Sequence, residues 1–198
     1  MNCQGRGNVP KRVFLFSGKR KCGKDFITDI LVERLGDKAV IVKISAPIKS
    51  HWAKEKGLNL DDLMSANEYK EKFRHEMVVW SEAVRDKDPG YFCRKAVTMN
   101  NAQDKPIWIV SDIRRRSDIA WFRQEYGNAI RTIRVTTDDE VRSKRGFKFT
   151  PGVDDKPTEC DLDEVTDWDW TITNNGDEEQ LENSILCLVK DVECISNC

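Results

Sequence analysis

The sequence lacks the features that mark several classes of protein. It has two histidines and seven cysteines, and the cysteines form neither C-x-x-C pairs nor zinc-type spacings with histidine. An odd, scattered set of this kind argues against a disulfide framework and a metal cluster, and favours a reducing compartment. The formal net charge of -1 gives no case for a nucleic-acid-binding protein.

Long apolar runs are also missing. None approaches the roughly 20 residues that cross a membrane, and residues 1–11 hold no hydrophobic signal segment. We therefore expect a cytoplasmic protein with no membrane partner. The 198 residues suffice for one domain with a sizeable core, and no repeat or linker divides them, so residues 1–198 are interpreted as a single domain.

The most informative motif is a glycine-containing loop after the first apolar run. Gly18, Gly23 and Lys24 spell G-x-x-x-x-G-K between the strand pattern Val13–Phe16 and an amphipathic helix that Gly36 ends. The glycines let backbone N–H groups approach phosphate, and the helix N-terminus adds a positive dipole. The motif predicts a nucleoside triphosphate site, against the alternative of a basic turn without a ligand.

The rest of this loop departs from the usual pattern. Asp25 stands where a Ser or Thr normally holds magnesium, and Lys19, Arg20 and Lys21 crowd the same segment. Cys22 lies among these cations, which could lower the pKa of its thiol. An inert packing residue is the favoured alternative for Cys22.

Apolar periodicity beyond the loop predicts alternating strands and helices. After the first strand, the predicted strands are Ala39–Ile44, Ile107–Val110, Ile130–Val135 and Trp168–Thr173. The helices after the first are predicted at Pro47–Lys56, at Asp61–Lys87, around Phe92, before Gly127 and at Glu178–Ile195. Five strands separated by helices predict an α/β fold with a parallel sheet covered on both faces, and residues 137–165 are predicted to be a loop-rich insertion.

The ends of the strands carry candidate site residues. In a parallel sheet, ligands bind beyond the carboxyl ends of the strands, where Lys49 follows the second strand and Asp112, Arg114 and Arg115 follow the third. A carboxylate after an apolar strand positions magnesium in phosphate-loop enzymes, so Asp112 is a candidate metal ligand. Helix capping or pairing with an arginine is the alternative for Asp112.

Four sequence blocks, in order, resemble the phosphomevalonate kinases of animals. The blocks are Ser17–Asp25, Asp88–Lys95, Val110–Arg115 and Phe149–Asp155. The resemblance runs from about Val13 to the last helix. It implies a three-layer P-loop kinase fold of the nucleoside-monophosphate-kinase type, with an acceptor-binding helical region at about 47–100 and a lid at about 137–165.

The same resemblance implies a reaction and a set of residue roles. The reaction is ATP-dependent, magnesium-assisted phosphorylation of (R)-5-phosphomevalonate to 5-diphosphomevalonate in the mevalonate pathway to isoprenoids and sterols. The implied catalytic residues are Lys19, Arg20, Lys21, Lys24 and Asp25. The implied ATP-binding residues are these five with Gly18, Cys22, Gly23, Arg142 and Arg145. The implied substrate-binding residues are Lys49, Arg74, Arg85, Arg114, Arg115 and Arg134, and Asp25 would serve magnesium.

Asn174 adds one further candidate for ATP binding. It follows the last predicted strand and could shape the adenine pocket, and a plain turn is the alternative.

The clustered cations suit a phosphate acceptor. Such an acceptor is already ionised near neutral pH, so it needs relief of repulsion between two polyanions rather than a strong general base. A nucleoside monophosphate kinase is the first alternative function, and a non-catalytic nucleotide switch is a remote one. We expect a small-molecule acceptor as the partner, and a monomer.

Overall fold

A central parallel sheet organises the chain. The computed structural model describes residues 9–64 and 68–196, and no side chain is described at 68–72 or 196. Residues 1–8, 197–198 and 65–67, the last within the helix predicted over 61–87, lie outside the described residues. Within the described part of the chain, no helix is both long and apolar enough to cross a membrane.

The observed elements follow the predicted alternation. The strands are β1 (Arg12–Gly18), β2 (Ala39–Val42), β3 (Ile107–Val110), β4 (Ile130–Thr136) and β5 (Trp170–Thr173). The helices are α1 (Lys24–Leu35), α2 (Ser45–Lys56), α3 (Leu60–Met64), α4 (Glu68–Lys87), α5 (Tyr91–Met99), α6 (Arg116–Tyr126), α7 (Asp139–Lys144), α8 (Pro157–Cys160) and α9 (Glu178–Ser196). The predicted order of five strands and their intervening helices is confirmed.

All neighbouring strands of the sheet are parallel, in the order β2-β3-β1-β4-β5. The first strand therefore lies in the middle, between two strands that come later in the chain. Because ligands bind at the carboxyl edge of such a sheet where the strand order reverses, the loop that follows β1 occupies the expected position for a site.

Alternation along each strand fills two cores, one on each face of the sheet. In β1, Val13 and Leu15 face a core that includes Phe92 of α5 and Phe122 of α6. Phe14 and Phe16 face the other core, which α1 and α9 cover, with Leu31 among its fully buried side chains. The result is the three-layer arrangement predicted from the sequence.

Several element boundaries differ from the prediction. The last strand begins at Trp170 rather than Trp168, and both boundaries between β2 and α2 are shifted. The strand predicted to reach Ile44 ends at Val42, and α2 begins at Ser45 rather than Pro47. The Asp112 carboxylate accepts hydrogen bonds from the backbone N–H groups of Ile44 (2.6 Å) and Ser45 (2.9 Å). A helix start that depends on a side chain 67 residues away leaves no local signal in the sequence.

The segment 137–165, called the lid segment below, is more ordered than predicted. It contains the short helices α7 and α8 rather than loop alone. Its function as a lid stays a prediction, as does the acceptor-binding function of residues 47–100.

Candidate active site

The turn between β1 and α1 requires its two glycines. Gly23 has φ of 83°, and a Cβ there would overlap the amide of Asn174. A Cβ on Gly18 would lie 2.6 Å from Cys22 Sγ and 2.9 Å from the carbonyl oxygen of Val135. Since no described side chain caps α1 at Gly23, the N–H groups of its first turn are available to an anion.

Residues from outside the loop support its backbone. The carbonyl oxygen of Cys22 accepts hydrogen bonds from Asn174 Nδ2 (2.9 Å), Arg145 Nη1 (3.2 Å) and Thr137 Oγ1 (3.0 Å). Arg145 Nη2 also donates to Asn174 Oδ1 at 3.2 Å. Asn174 and Arg145 therefore support the phosphate loop in this structure, and direct contact with ATP stays a prediction for both.

The thiol of Cys22 belongs to the core rather than to the site. Cys22 is 1% exposed and packs with Phe16 and Ile27. Burial raises the pKa of the Cys22 thiol, and this effect outweighs the lowering by the backbone and charge of Lys24. The favoured interpretation of Cys22 as an inert packing residue is confirmed, and the alternative of a lowered thiol pKa is wrong because burial dominates.

Lys24 and Asp25 form the junction between the phosphate loop and the acceptor side. Lys24 Nζ donates to Asp25 Oδ1 at 2.8 Å and also to the carbonyl oxygen of Ser111, directly after β3. Burial raises the pKa of the Asp25 carboxyl, but Lys24, Lys43 and Arg114 outweigh it, and the net pKa lies below its ordinary value. Asp25 is therefore an ionised, largely exposed carboxylate beside the loop.

A cleft of about 400 Å³ opens beside Lys24 and Asp25. Its lining includes eight of the predicted site residues, namely Lys24, Asp25, Lys49, Arg74, Arg85, Asp112, Arg114 and Arg115. Sequence reasoning missed Lys43, Glu82 and Glu159, which also line it. The excess of cations in one cleft is the arrangement that a polyanionic acceptor requires.

Burial changes the pKa of one of these cations, Lys49. Burial lowers the pKa of Lys49, and the charges of Lys43 and Arg74 lower it further, while Asp112 acts in the opposite direction. A lysine of this kind loses its positive charge at a lower pH than an exposed lysine.

The carboxylate of Asp118 organises the arginines of this cleft. Asp118 is fully buried, and its Oδ1 accepts a hydrogen bond from Arg85 Nη1. Its Oδ2 accepts the backbone N–H groups of Arg114 (3.3 Å) and Arg115 (3.2 Å). One buried charge thus fixes an arginine of α4 and the loop that carries two more, so Asp118 is a positioning residue that sequence reasoning missed.

The lid segment contributes carboxylates that pair with the site cations. Asp154 pairs with Arg20 at 3.0 Å. Asp163 pairs with Lys19 and, at 2.9 Å, with Arg134, and Glu159 pairs with Arg114. Three lid carboxylates therefore compensate cations predicted to bind phosphate groups.

The other predicted site residues do not line this cleft, and Arg134, Arg142 and Lys21 are three of them. Arg134 donates to Ser17 Oγ at 2.9 Å and stands over the Trp168 ring, so it lies beside β1. The buried Arg142 donates to the carbonyl oxygen of Arg20 at 3.0 Å. Lys21 is exposed at the tip of the loop, with φ of 63°.

Asp25 fits magnesium better than Asp112 does. Among the described residues there is no group of three or more His, Cys, Asp or Glu that could hold a metal ion, but Mg²⁺ commonly uses one or two carboxylates together with substrate phosphates. Both oxygens of Asp112 already accept backbone hydrogen bonds, which is the capping alternative considered for it. A metal role for either residue stays a prediction.

A phosphate loop at the carboxyl edge of a 2-3-1-4-5 parallel sheet, beside a cationic cleft, defines a P-loop kinase. The family model for phosphomevalonate kinase matches residues 16–128. A phosphomevalonate kinase of Drosophila melanogaster is 49% identical over 180 residues, which cover 88% of this chain and 94% of the relative. The chain belongs to the phosphomevalonate kinase family, as the four sequence blocks predicted.

Two solved structures resemble the chain at low sequence identity, and the likeness to the first of them supports the fold. A Thermus thermophilus structure is 15% identical and has a TM-score of 0.51 over 93% of this chain and 98% of its own. A gluconokinase from Sinorhizobium meliloti is 12% identical and has a TM-score of 0.48 over 94% of this chain and 97% of its own. The expected monomeric state and cytoplasmic location stay predictions.

We expect Asp118→Asn to damage both stability and acceptor binding. Removing one partner of a buried ion pair costs about 3–5 kcal/mol of unfolding free energy. Because the arginine loop is then less firmly held, the acceptor KM should rise about tenfold, which corresponds to about 1.4 kcal/mol. The KM for ATP should change far less. Denaturant unfolding and initial-rate kinetics with each substrate varied measure the two effects.

Asp191→Asn is the matched control for Asp118→Asn. Asp191 pairs with Arg12 at 2.6 Å, with side-chain exposures of 17% and 6%, where β1 begins and therefore far from the cleft. This variant should lose stability without a change in acceptor KM. An equal rise of acceptor KM in both variants would show that general destabilisation, rather than positioning by Asp118, controls acceptor binding.

We expect Lys49→Arg to extend acceptor binding to higher pH. Because the Lys49 pKa is lowered, the wild-type cation is lost as pH rises through that lowered value, and kcat/KM for the acceptor falls there. Arginine keeps its charge throughout this range. In the Lys49→Arg variant, the fall of kcat/KM at alkaline pH should therefore occur at a higher pH than in the wild type. Superimposable alkaline limbs in the pH profiles of the two proteins would contradict a binding role for Lys49.

Proposed function

We propose that this chain transfers the γ-phosphoryl group of ATP to (R)-5-phosphomevalonate, giving 5-diphosphomevalonate and ADP in the mevalonate pathway. The observation that carries the proposal is the cationic cleft that opens at Lys24 and Asp25 in a member of this family. The acceptor carries negatively charged groups and an apolar methyl group. The cleft suits both, since it combines cations with the apolar side chains of Ile48, Met77 and Val78.

The proposed reaction joins two groups that repel each other. The acceptor phosphate is largely ionised at neutral pH, so an oxygen of that phosphate attacks without the help of a strong base. The protein's task is to hold it in line with the γ-phosphorus and to compensate the negative charge of both partners. Lys24 suits the shared position because it reaches from α1 toward the end of β3, between the loop and the cleft.

The remaining cations divide by element. Lys19 and Arg20, on the phosphate loop, are assigned to ATP, with Lys21 at its exposed tip. Arg85, Arg114 and Arg115, which Asp118 and Glu82 hold, are assigned to the phosphate and carboxylate of the acceptor. Since arginine offers a planar pair of donors to such groups, the three suit recognition better than lysines would.

Magnesium is assigned to Asp25. When bound, the ion would compensate part of the negative charge of the ATP phosphates. The ionised, exposed carboxylate of Asp25 would hold it directly or through water, and the hydrogen bond from Lys24 keeps that carboxylate beside the phosphate loop.

The function is tested by ADP release with magnesium-ATP and (R)-5-phosphomevalonate, beside a panel of nucleoside monophosphates. We expect turnover with phosphomevalonate and none with the nucleotides.

Lys24→Met should lower kcat by at least about 100-fold, because a preorganised donor to developing charge is lost. Turnover with a nucleotide alone would overturn the acceptor assignment, and near-normal activity of Lys24→Met would overturn the role of the loop lysine.

Asp25→Ser should be impaired in a way that magnesium partly restores. A serine hydroxyl still offers the metal an oxygen, but without the charge that attracts the ion, so half-saturation should require several-fold more magnesium. Rates measured across a magnesium titration at fixed ATP test this. An unchanged magnesium requirement together with an altered pH profile would assign Asp25 a proton-transfer role instead.

A further inference from the structure

Glu159 places a negative charge in a cleft built for an anionic acceptor. Its side chain is 4% exposed, it lines the cleft, and one carboxylate oxygen pairs with Arg114. The other oxygen, Oε2, is buried and has no hydrogen-bond partner among the described residues. A buried carboxylate oxygen without a donor is costly, so a donor from a bound ligand is the natural complement.

We propose that Glu159 accepts a hydrogen bond from the 3-hydroxyl group of phosphomevalonate, and that this contact makes the site selective for a hydroxylated acceptor. This inference rests on the proposed function and deepens it. It concerns the hydroxyl group of the substrate, which can donate a hydrogen bond to a carboxylate, whereas the ionised phosphate and carboxylate cannot.

The other carboxylates of the cleft are less suited to this contact. Both oxygens of Asp112 accept backbone N–H groups. Asp25 pairs with Lys24 and is 73% exposed, and Glu82 pairs with Arg115 and is 39% exposed. Glu159 therefore combines deep burial with an unpartnered oxygen, which none of these three does.

The backbone around Glu159 is held from two sides of the site. Lys19 Nζ, on the phosphate loop, donates to the Glu159 carbonyl oxygen at 3.0 Å. Arg114 Nη1, after β3, donates to the Thr158 carbonyl oxygen at 3.3 Å. The carboxylate is thus fixed relative to both the ATP side and the acceptor side, as a residue that recognises one substituent must be.

The chemistry of the acceptor singles out its hydroxyl group. An ionised carboxylate and an ionised phosphate are hydrogen-bond acceptors only, so Glu159 repels both. The 3-hydroxyl is a donor, and an O–H group donating to a carboxylate forms a short, strong hydrogen bond. The apolar Ile48, Met77 and Val78 in the same cleft suit the 3-methyl group on the same carbon.

The test compares (R)-5-phosphomevalonate with its 3-deoxy analogue, in which hydrogen replaces the hydroxyl. Wild-type kcat/KM should favour the hydroxylated acceptor by about 10- to 100-fold, the discrimination expected from a hydrogen bond to a charged group. Glu159→Met, which keeps side-chain length but removes the hydrogen-bond acceptor, should reduce this ratio to within about threefold of unity.

Glu82→Met is the matched control variant. It too removes one cleft carboxylate and leaves one cleft arginine without its partner, so it should alter kcat/KM for both acceptors while retaining the wild-type ratio. Thermal melting confirms that each variant is folded. If Glu159→Met does not fold, Glu159→Gln serves instead, and its ratio should fall between unity and the wild-type value because the amide oxygen is a weaker acceptor.

Each outcome separates specificity from positioning. A wild-type ratio near unity would overturn the inference. A folded Glu159→Met or Glu159→Gln variant that retains the wild-type ratio while both kcat/KM values fall would also overturn it, since Glu159 would then act only by positioning Arg114. Absence of wild-type turnover with phosphomevalonate itself would instead overturn the proposed function. The two failures are distinguishable, because the first is seen in the ratio of kcat/KM values and the second in the absence of any turnover.

Discussion

The concentration of positive charge at one edge of the sheet is the constraint on which the rest of the structure depends. One cleft is lined by four cations, namely Lys24, Arg85, Arg114 and Arg115. Like charges that share a cleft repel one another, and more strongly where water is scarce. The fold compensates them with carboxylates from several elements. Fully buried Asp118 holds Arg85, and Glu82 on α4 holds Arg115. Glu159 of the lid segment pairs with Arg114, and Asp25 of α1 pairs with Lys24.

The order of the parallel strands explains how the two loops that carry the cations come to lie side by side. Because the strands are parallel, the phosphate loop after β1 and the arginine loop after β3 leave the sheet at the same edge, and the strand order makes the two loops neighbours. A single hydrogen bond from Lys24 to the carbonyl oxygen of Ser111 then joins the two loops. Parallel pairing of the strands sets these positions, and a slip of one residue would exchange the side chains that face the two cores, such as Leu15 and Phe16.

The sequence predicted those parts of the site whose signal is local. The phosphate loop is a contiguous motif, and Arg114 and Arg115 follow a recognisable strand, so both were predicted correctly in position. Glu159 and Asp163 were missed because they act on partners tens of residues or more away. Asp118 has local partners in the backbone of Arg114 and Arg115, but its ion pair with Arg85 of α4 is distant in sequence. The packing role favoured for Cys22 is confirmed, and the alternative of a lowered thiol pKa is wrong for a related reason. Sequence neighbours suggested a cationic environment, whereas side-chain direction, which depends on the folded turn, places the thiol in the core.

The pairing of lid carboxylates with site cations has an energetic consequence for the proposed reaction. Partly exposed ion pairs such as Asp163 with Lys19 contribute about 0–1 kcal/mol each, so substrate phosphates can replace them at little cost. The buried pair of Asp118 with Arg85 is different, since breaking it leaves an uncompensated charge away from water. The site therefore combines an exchangeable counter-charge, Asp163 of the lid segment, with buried ones, which are Asp118 beneath the arginines and Glu159 beside Arg114. Phosphate groups can displace the first kind while the second keeps the cleft in its geometry.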